Sequence, residues 1–214
     1  MIYQGDCLQI MPDLINQGVK VNLVLCDLPY GVTQNNWDSV IDLKKLWGLY
    51  DSITYQNSAV ILFGQDKFSA QLMLSNPKNH RYNLIWDKQL VSGFLNANRM
   101  PLRSHEDILI FYRKLPVYNP QKHIGAKNHS TGTSILDKSS NYGDYQRVDN
   151  AENLGNLKHP KSILSYQKPH PSKNLHPTQK PVDLLRFLIK SYTNESDLVL
   201  DNTMGSGSTG EAAL

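Results

Sequence analysis

Val21-Asn22-Leu23-Val24-Leu25-Cys26, followed by Asp27-Leu28-Pro29-Tyr30-Gly31, is the stretch that decides the fold. The apolar run predicts a buried strand, and Pro29 and Gly31 close it in a tight loop. That loop sets a carboxylate, a rigid backbone and an aromatic face at the carboxyl end of a strand. Open α/β sheets bind ligands at that edge. A flat ring beside hydrogen-bond acceptors suits a planar substrate with an amino group, such as a nucleobase.

Outward from this strand, further strands and helices alternate. Met1-Ile2-Tyr3 reads as short and extended, and Gly5-Asp6-Cys7 turns into a helix through Leu14. Leu43, Leu46, Trp47 and Tyr50 recur at helical spacing over residues 43–55. Residues 59–64 read as a strand ending in Gly64, 68–74 as a helix, and 82–86 and 108–112 as strands. Trp86 and Phe94 are expected in the core. Pro181 suits the first turn of a helix reaching Tyr192, with Val182, Leu185, Leu188 and Ile189 on one face. Leu198-Val199-Leu200 is a short strand that runs into Asp201-Asn202-Thr203-Met204-Gly205-Ser206-Gly207, and a helix begins near Gly210. This alternation predicts an α/β sheet, much of it parallel.

Net charge is +3 over 214 residues, which says little, but its distribution says more. Residues 1–113 carry 10 Lys/Arg and 10 Asp/Glu, residues 114–173 carry 9 and 4, and residues 174–214 carry 3 and 5. The segment 115–175, rich in Asn, Ser, Lys, His, Gly and Pro, is too long for an ordinary loop. It reads as an inserted recognition region whose basic surface favours a polyanion, or as a solvated loop. Cys7 and Cys26 form no CxxC pair, so no metal site is expected, and a reducing cytoplasm fits. No charged leader or membrane-spanning run is present in the sequence.

Gly205 and Gly207 let the backbone approach a ligand between a strand and a helix start. Alone, this spacing fits a generic strand–helix turn equally well. A P-loop is excluded because no Lys precedes Ser208-Thr209.

Together the two turns are far more specific. The chain resembles the beta group of amino-group DNA methyltransferases that use S-adenosylmethionine, in a phage- or prophage-like form. Asp27-Leu28-Pro29-Tyr30 matches their catalytic (D/N/S)-P-P-Y tetrapeptide with Leu at the second position. Residues 201–207 match their D-P-F-x-G-S-G cofactor motif, and the catalytic motif comes first, as in that group. Gly5-Asp6-Cys7-Leu8, Ile61-Leu62-Phe63-Gly64, Leu84-Ile85-Trp86-Asp87-Lys88, Gly93-Phe94-Leu95-Asn96 and His176-Pro177-Thr178-Gln179-Lys180-Pro181 resemble further motifs.

The resemblance implies a Rossmann-like methyltransferase fold with circularly ordered motifs. Residues 1–114 would be its catalytic half, 115–175 the target recognition region that meets DNA, and 176–214 the cofactor half. It implies methyl transfer to the N6 amino group of adenine, with cytosine-N4 as the alternative. Asp27 and the carbonyl of Leu28 would accept the amine hydrogens, Pro29 would hold the turn, and Tyr30 would stack on a flipped base. Asp6 and Cys7 would lie at the adenine end of the cofactor. Thr178, Gln179 and Lys180 would lie at its carboxylate end, and Asp201 near its ammonium. Thr203, Gly205, Ser206 and Gly207 would form the turn against its methionine part. The lesser alternatives are a solvated charge for Lys180 and caps for Asp6 and Asp201. Asn96, Asn98, Arg99 and Arg103 would face DNA phosphates or simply solvent.

Asn202 and Thr203 depart from the usual Pro and Phe, which predicts weaker cofactor binding. The resemblance also leads one to expect a further strand with an acidic ribose ligand after Leu214, so the chain reads as C-terminally truncated, with weak cofactor affinity by itself. Rival expectations are an RNA or protein amide methyltransferase, a DNA-binding remnant without turnover and, distantly, a nucleotide-dependent reductase. A bacterial or phage-encoded cytoplasmic protein fits, as monomer or dimer.

Overall fold

The computed structural model describes residues 1–31, 39–126, 155–168 and 179–214. They divide into two units, residues 1–119 with 161–214, and residues 120–160.

The larger unit is built on a six-stranded sheet. Its strands are β1 (Val21–Cys26), β2 (Thr54–Gly64), β3 (His80–Ser92), β4 (Arg103–Tyr112), β7 (Ile163–Ser165) and β8 (Val199–Leu200). They lie in the order β7-β3-β4-β2-β1-β8. β1 runs parallel to both neighbours, β2 and β8. β7 runs parallel to β3, and β4 is antiparallel to β2 and β3. The sheet is therefore mixed, with its parallel core at the β2-β1-β8 end.

Helices cover both faces, because successive strand residues point to opposite sides. Val24, Cys26, Val60, Leu62, Leu109 and Phe111 meet Met11 and Leu14 of α1 (Cys7–Asn16), Leu46, Trp47, Tyr50 and Ile53 of α2 (Leu43–Ile53), and Phe68 and Leu72 of α3 (Asp66–Ser75). The alternate set, Leu23, Leu25, Ala59, Ile61, Phe63, Trp86, Ile108 and Ile110, meets Leu184, Leu185, Leu188 and Tyr192 of α4 (Val182–Tyr192) and Ala212 of α5 (Ser208–Ala213). Asp6 caps α1 by accepting the Leu8 N–H at 2.9 Å, and Asp42 caps α2 by accepting those of Lys44 and Lys45.

Three readings of the sequence change. β3 and β4 extend well beyond their apolar runs, because antiparallel pairing to each other carries the ladder on into polar, exposed or half-buried residues such as Asp87, Ser92, Arg103 and His105. Residues 1–3 form no strand and are exposed. Phe94, expected in the core, is 80% exposed at the tip of the β3–β4 hairpin.

In the smaller unit, β5 (His123–Ile124) pairs antiparallel with β6 (Leu157–Lys158), and the Gly125 N–H donates to the Asn156 carbonyl at 2.7 Å. Residues 127–154 and 169–175 of the expected recognition region lie outside the described residues. Ile163–Ser165, inside that same stretch, forms β7 and adds to the main sheet. Among the described residues no helix is long and apolar enough to cross a membrane.

Candidate active site

β1 and β8 lie side by side, Leu23 opposite Val199 and Val24 opposite Leu200. The turns that follow them leave the same edge of the sheet. Thr203 Oγ1 donates to the backbone carbonyl of Asp27 at 3.1 Å, tying the second turn to the first. Asn202 supports the junction from beneath. Its Oδ1 accepts from Tyr50 Oη at 2.6 Å and from Cys26 Sγ at 2.9 Å, and its Nδ2 donates to Cys7 Sγ at 3.5 Å. The two departures from the family motif thus have structural work of their own. Gly205 and Gly207 have φ of +51° and +81°, conformations that residues with a Cβ rarely adopt. Asp201 accepts the Thr203 N–H at 3.0 Å, so it caps the turn while also lining the cavity.

Both turns open into a cavity of about 750 Å³. Asp27, Leu28, Pro29 and Tyr30 form one wall, with Phe63, Trp86, Lys88, Glu106 and Lys180 beside them. Asp201, Thr203, Gly205 and Ser206 form another, with Cys7 and Gln179 at its margin. Leu28 turns its side chain into the core. Tyr30 donates to Asp27 Oδ1 at 3.0 Å and stacks on Phe68, with ring centroids 4.8 Å apart. Burial first, then Asp27 and Glu106, hold its phenol far above the usual value, so Tyr30 remains a neutral donor.

The feature hardest to read from sequence is Lys180. It is only 7% exposed. Its Nζ donates to Asp27 Oδ2 at 2.6 Å and lies 3.2 Å from Glu106 Oε2. It also lies 4.9 Å from the centroid of Phe63. Burial works against this ammonium, but Asp27 and Glu106 outweigh it, and its pKa rises. Lys88 approaches Glu106 Oε1 at 3.4 Å from the other side. Its burial dominates and lowers its pKa. Asp27 itself is pushed above the ordinary carboxylate value, first by burial and then by Glu106, while Lys180 opposes the rise. A quarter of its side chain, 26%, stays open. It can therefore be reached from the cavity.

Of the residues singled out in the sequence, Asp27, Leu28, Pro29, Tyr30, Cys7, Gln179, Lys180, Asp201, Thr203, Gly205 and Ser206 come together around this cavity. Gly207 stands just behind, as the N-cap of α5. Asp6 is exposed and occupied in capping α1. Thr178 lies outside the described residues. Glu106 was not singled out, and Lys88 entered only as the end of the Leu84–Lys88 string, with no role given. They sit on the β3–β4 hairpin, where a charged residue reads as ordinary surface.

The sequence profile of the DNA methylase family of N6 and N4 methyltransferases matches residues 21–214. The chain belongs to this DNA methylase family. It is 26% identical over 231 residues to the type II methyltransferase M1.MboII of Moraxella bovis, covering 97% of this chain and 85% of that protein. The crystal structure of an M1.HpyAVI–SAM complex superposes with a TM-score of 0.64 at 24% identity, covering 99% of this chain and 86% of that one. The cytosine-N4-specific PvuII DNA methyltransferase superposes at 0.62 with 14% identity, covering 99% and 76%. These two likenesses concern the fold. The Asp27–Tyr30 turn precedes the Asp201–Gly207 turn in the chain, and this DNA methylase is of the beta-group type. The family's methyl donor is S-adenosylmethionine. The cavity fits such a zwitterionic nucleoside, since it joins the Asp201 carboxylate and the Ser206 and Thr209 hydroxyls to apolar walls.

Proposed function

We propose that this DNA methylase transfers the methyl group to the N6 amino nitrogen of adenine, with Asp27, Leu28, Pro29 and Tyr30 as the catalytic turn. The observation that carries this reading is the partly open Asp27 carboxylate, set on the cavity wall between Tyr30 and the cofactor turn.

When bound, S-adenosylmethionine supplies an electrophilic methyl group on sulfur. The protein's part is to prepare the nucleophile. An exocyclic amine conjugated with its ring is a poor nucleophile, because its lone pair is shared. Asp27 accepts one N–H and the Leu28 carbonyl accepts the other, which turns the nitrogen towards tetrahedral geometry. The negative charge of Asp27 stabilises the positive charge that grows as the N–C bond forms and the C–S bond breaks. With its pKa raised by burial, Asp27 is also placed to take the proton that the nitrogen must lose. Tyr30, backed by Phe68, offers its remaining face to a base taken out of the duplex.

Asp201 holds the ammonium group of the donor and Thr203, Gly205, Ser206 and Gly207 its methionine part. Cys7 borders its adenine end. Residues 115–175 supply DNA recognition, between a catalytic half at 1–114 and a cofactor half at 176–214. Asp rather than Ser at position 27 favours adenine. Digestion of DNA treated with the protein and S-adenosylmethionine, followed by mass spectrometry of the nucleosides, tests this. N6-methyladenine is expected, and N4-methylcytosine in its place contradicts the adenine assignment.

A further inference from the structure

The hairpin that carries Lys88 and Glu106 into the cavity continues past it. Register between β3 and β4 shifts between Asp87↔His105 and Ser92↔Arg103, and Gln89 takes a left-handed conformation there. Such bulges redirect a hairpin. Ser92, the last residue of β3, still lines the cavity. Gly93 then turns with φ +88°, and residues 94–100 close on themselves. Asn96 N–H donates to the Gly93 carbonyl, Ala97 N–H to that of Phe94, and Met100 N–H to that of Asn96, at 2.9, 3.0 and 3.0 Å. The tip is thus an ordered knuckle standing at the cavity rim. On it Phe94 is 80% exposed and Leu95 is 96% exposed, with Val91 and Met100 also open.

Adjacent large apolar side chains on a turn cost solubility and contribute nothing to the core, so their exposure calls for a partner. The charge around them selects which. From Lys88 to His105 the chain carries no carboxylate; Lys88 pairs with Glu106 and Arg103 with Asp66, at 3.4 and 3.6 Å, which leaves Arg99 as the charge on the knuckle itself. An apolar tip in a cationic setting, at the mouth of a cavity that takes a base, suits a nucleic-acid duplex. A base that leaves the stack opens a gap, and proteins that unstack DNA do so with apolar wedges.

We infer that Phe94 and Leu95 form a wedge that enters the duplex beside the target base and fills the gap left when that base turns into the cavity. Arg99 anchors the wedge to a flanking phosphate. This rests on the proposed base-flipping function.

The test compares the wild type with a Phe94→Ser/Leu95→Ser double variant on two duplexes carrying the site at which the wild type methylates DNA. In one the target base is paired normally, and in the other it faces an abasic position. Thermal melting of both proteins checks the fold, and gel filtration their assembly. The variant is expected to lose about tenfold or more in kcat/KM on the paired duplex and to come within about twofold of wild type on the abasic one, because the opening cost is already met. No loss on the paired duplex overturns the wedge, as do equal losses on both. A change of oligomeric state with equal losses identifies the tip as a contact between copies of the chain and also overturns it. A wild type silent on both duplexes contradicts the function itself, a different outcome from failure of the variant alone.

Discussion

Lys180 Nζ lies 2.6 Å from Asp27 Oδ2, so this carboxylate oxygen is held by an ammonium group of the protein itself. The other oxygen, Oδ1, accepts from Tyr30. Asp27 is therefore oriented from both sides, and under the proposed mechanism the target nitrogen replaces a donor already present. Glu106 supplies a second counter-charge to Lys180, at 3.2 Å.

The pH dependence of methyl transfer reports this arrangement. Asp27 must be ionised to accept the amine hydrogen, so the rate falls as pH drops through its pKa. Burial raises that pKa above the ordinary 3.8, hence the acid limb of the wild type lies above 3.8. Lys180→Met removes the influence that lowers it and moves the limb to higher pH. Glu106→Gln removes a like charge and moves the limb to lower pH. Single-turnover rates against pH check both signs, and shifts in the same direction for the two variants contradict the arrangement. For folding, a raised carboxyl pKa makes the Asp27 contribution fully present below 3.8 and lost as pH rises through the folded-state value.

The proposed mechanism gives Tyr30 two separable functions. Tyr30→Phe removes the hydrogen bond to Asp27 but keeps the ring, and is expected to slow transfer with little effect on base capture. Tyr30→Ala removes the stacking surface, worth about 1–3 kcal/mol per base. A 2-aminopurine placed at the target position reads base capture by its fluorescence. Equal capture by the Ala variant and wild type would show that Tyr30 does not stack on the base.

Asn202 should matter for stability. Asn202→Ala leaves the Tyr50 hydroxyl and the Cys26 thiol without their shared acceptor, and is expected to cost about 1–3 kcal/mol. Denaturant unfolding measures this. Thr203→Val breaks one hydrogen bond between the turns, costs about 1 kcal/mol, and should raise the KM for S-adenosylmethionine. An unchanged KM would argue that the two turns are not coupled in binding.

Much of this was legible in the sequence, for identifiable reasons. β1 is a central parallel strand buried on both faces, so it reads as an unbroken apolar run, and Pro29 marks its end. α4 announces itself by the spacing of Leu185 and Leu188. Two turns at adjacent strand ends give the cavity its place. The Lys180–Asp27 pair joins residues 153 apart in sequence, and no local pattern marks such a contact. Glu106 was missed because it lies in the polar block Arg103–Asp107 that precedes the apolar run of β4, and such a block reads as surface. Phe94 was misplaced because apolar character predicts burial, whereas here it sits on a hairpin tip. Asn202 and Thr203 read as losses from a motif, and only the fold reveals what they bind.

The most direct test of Asp27 at the centre of methyl transfer is a single-turnover comparison of wild type and Asp27→Asn, using tritiated S-adenosylmethionine and unmethylated DNA. Asn keeps the shape and the Tyr30 contact but loses the charge that stabilises the developing cation. Wild type is expected to yield N6-methyladenine, and Asp27→Asn to transfer about 100-fold more slowly or less, with DNA binding retained. Transfer by Asp27→Asn at the wild-type rate would contradict the assignment of Asp27 as the catalytic carboxylate.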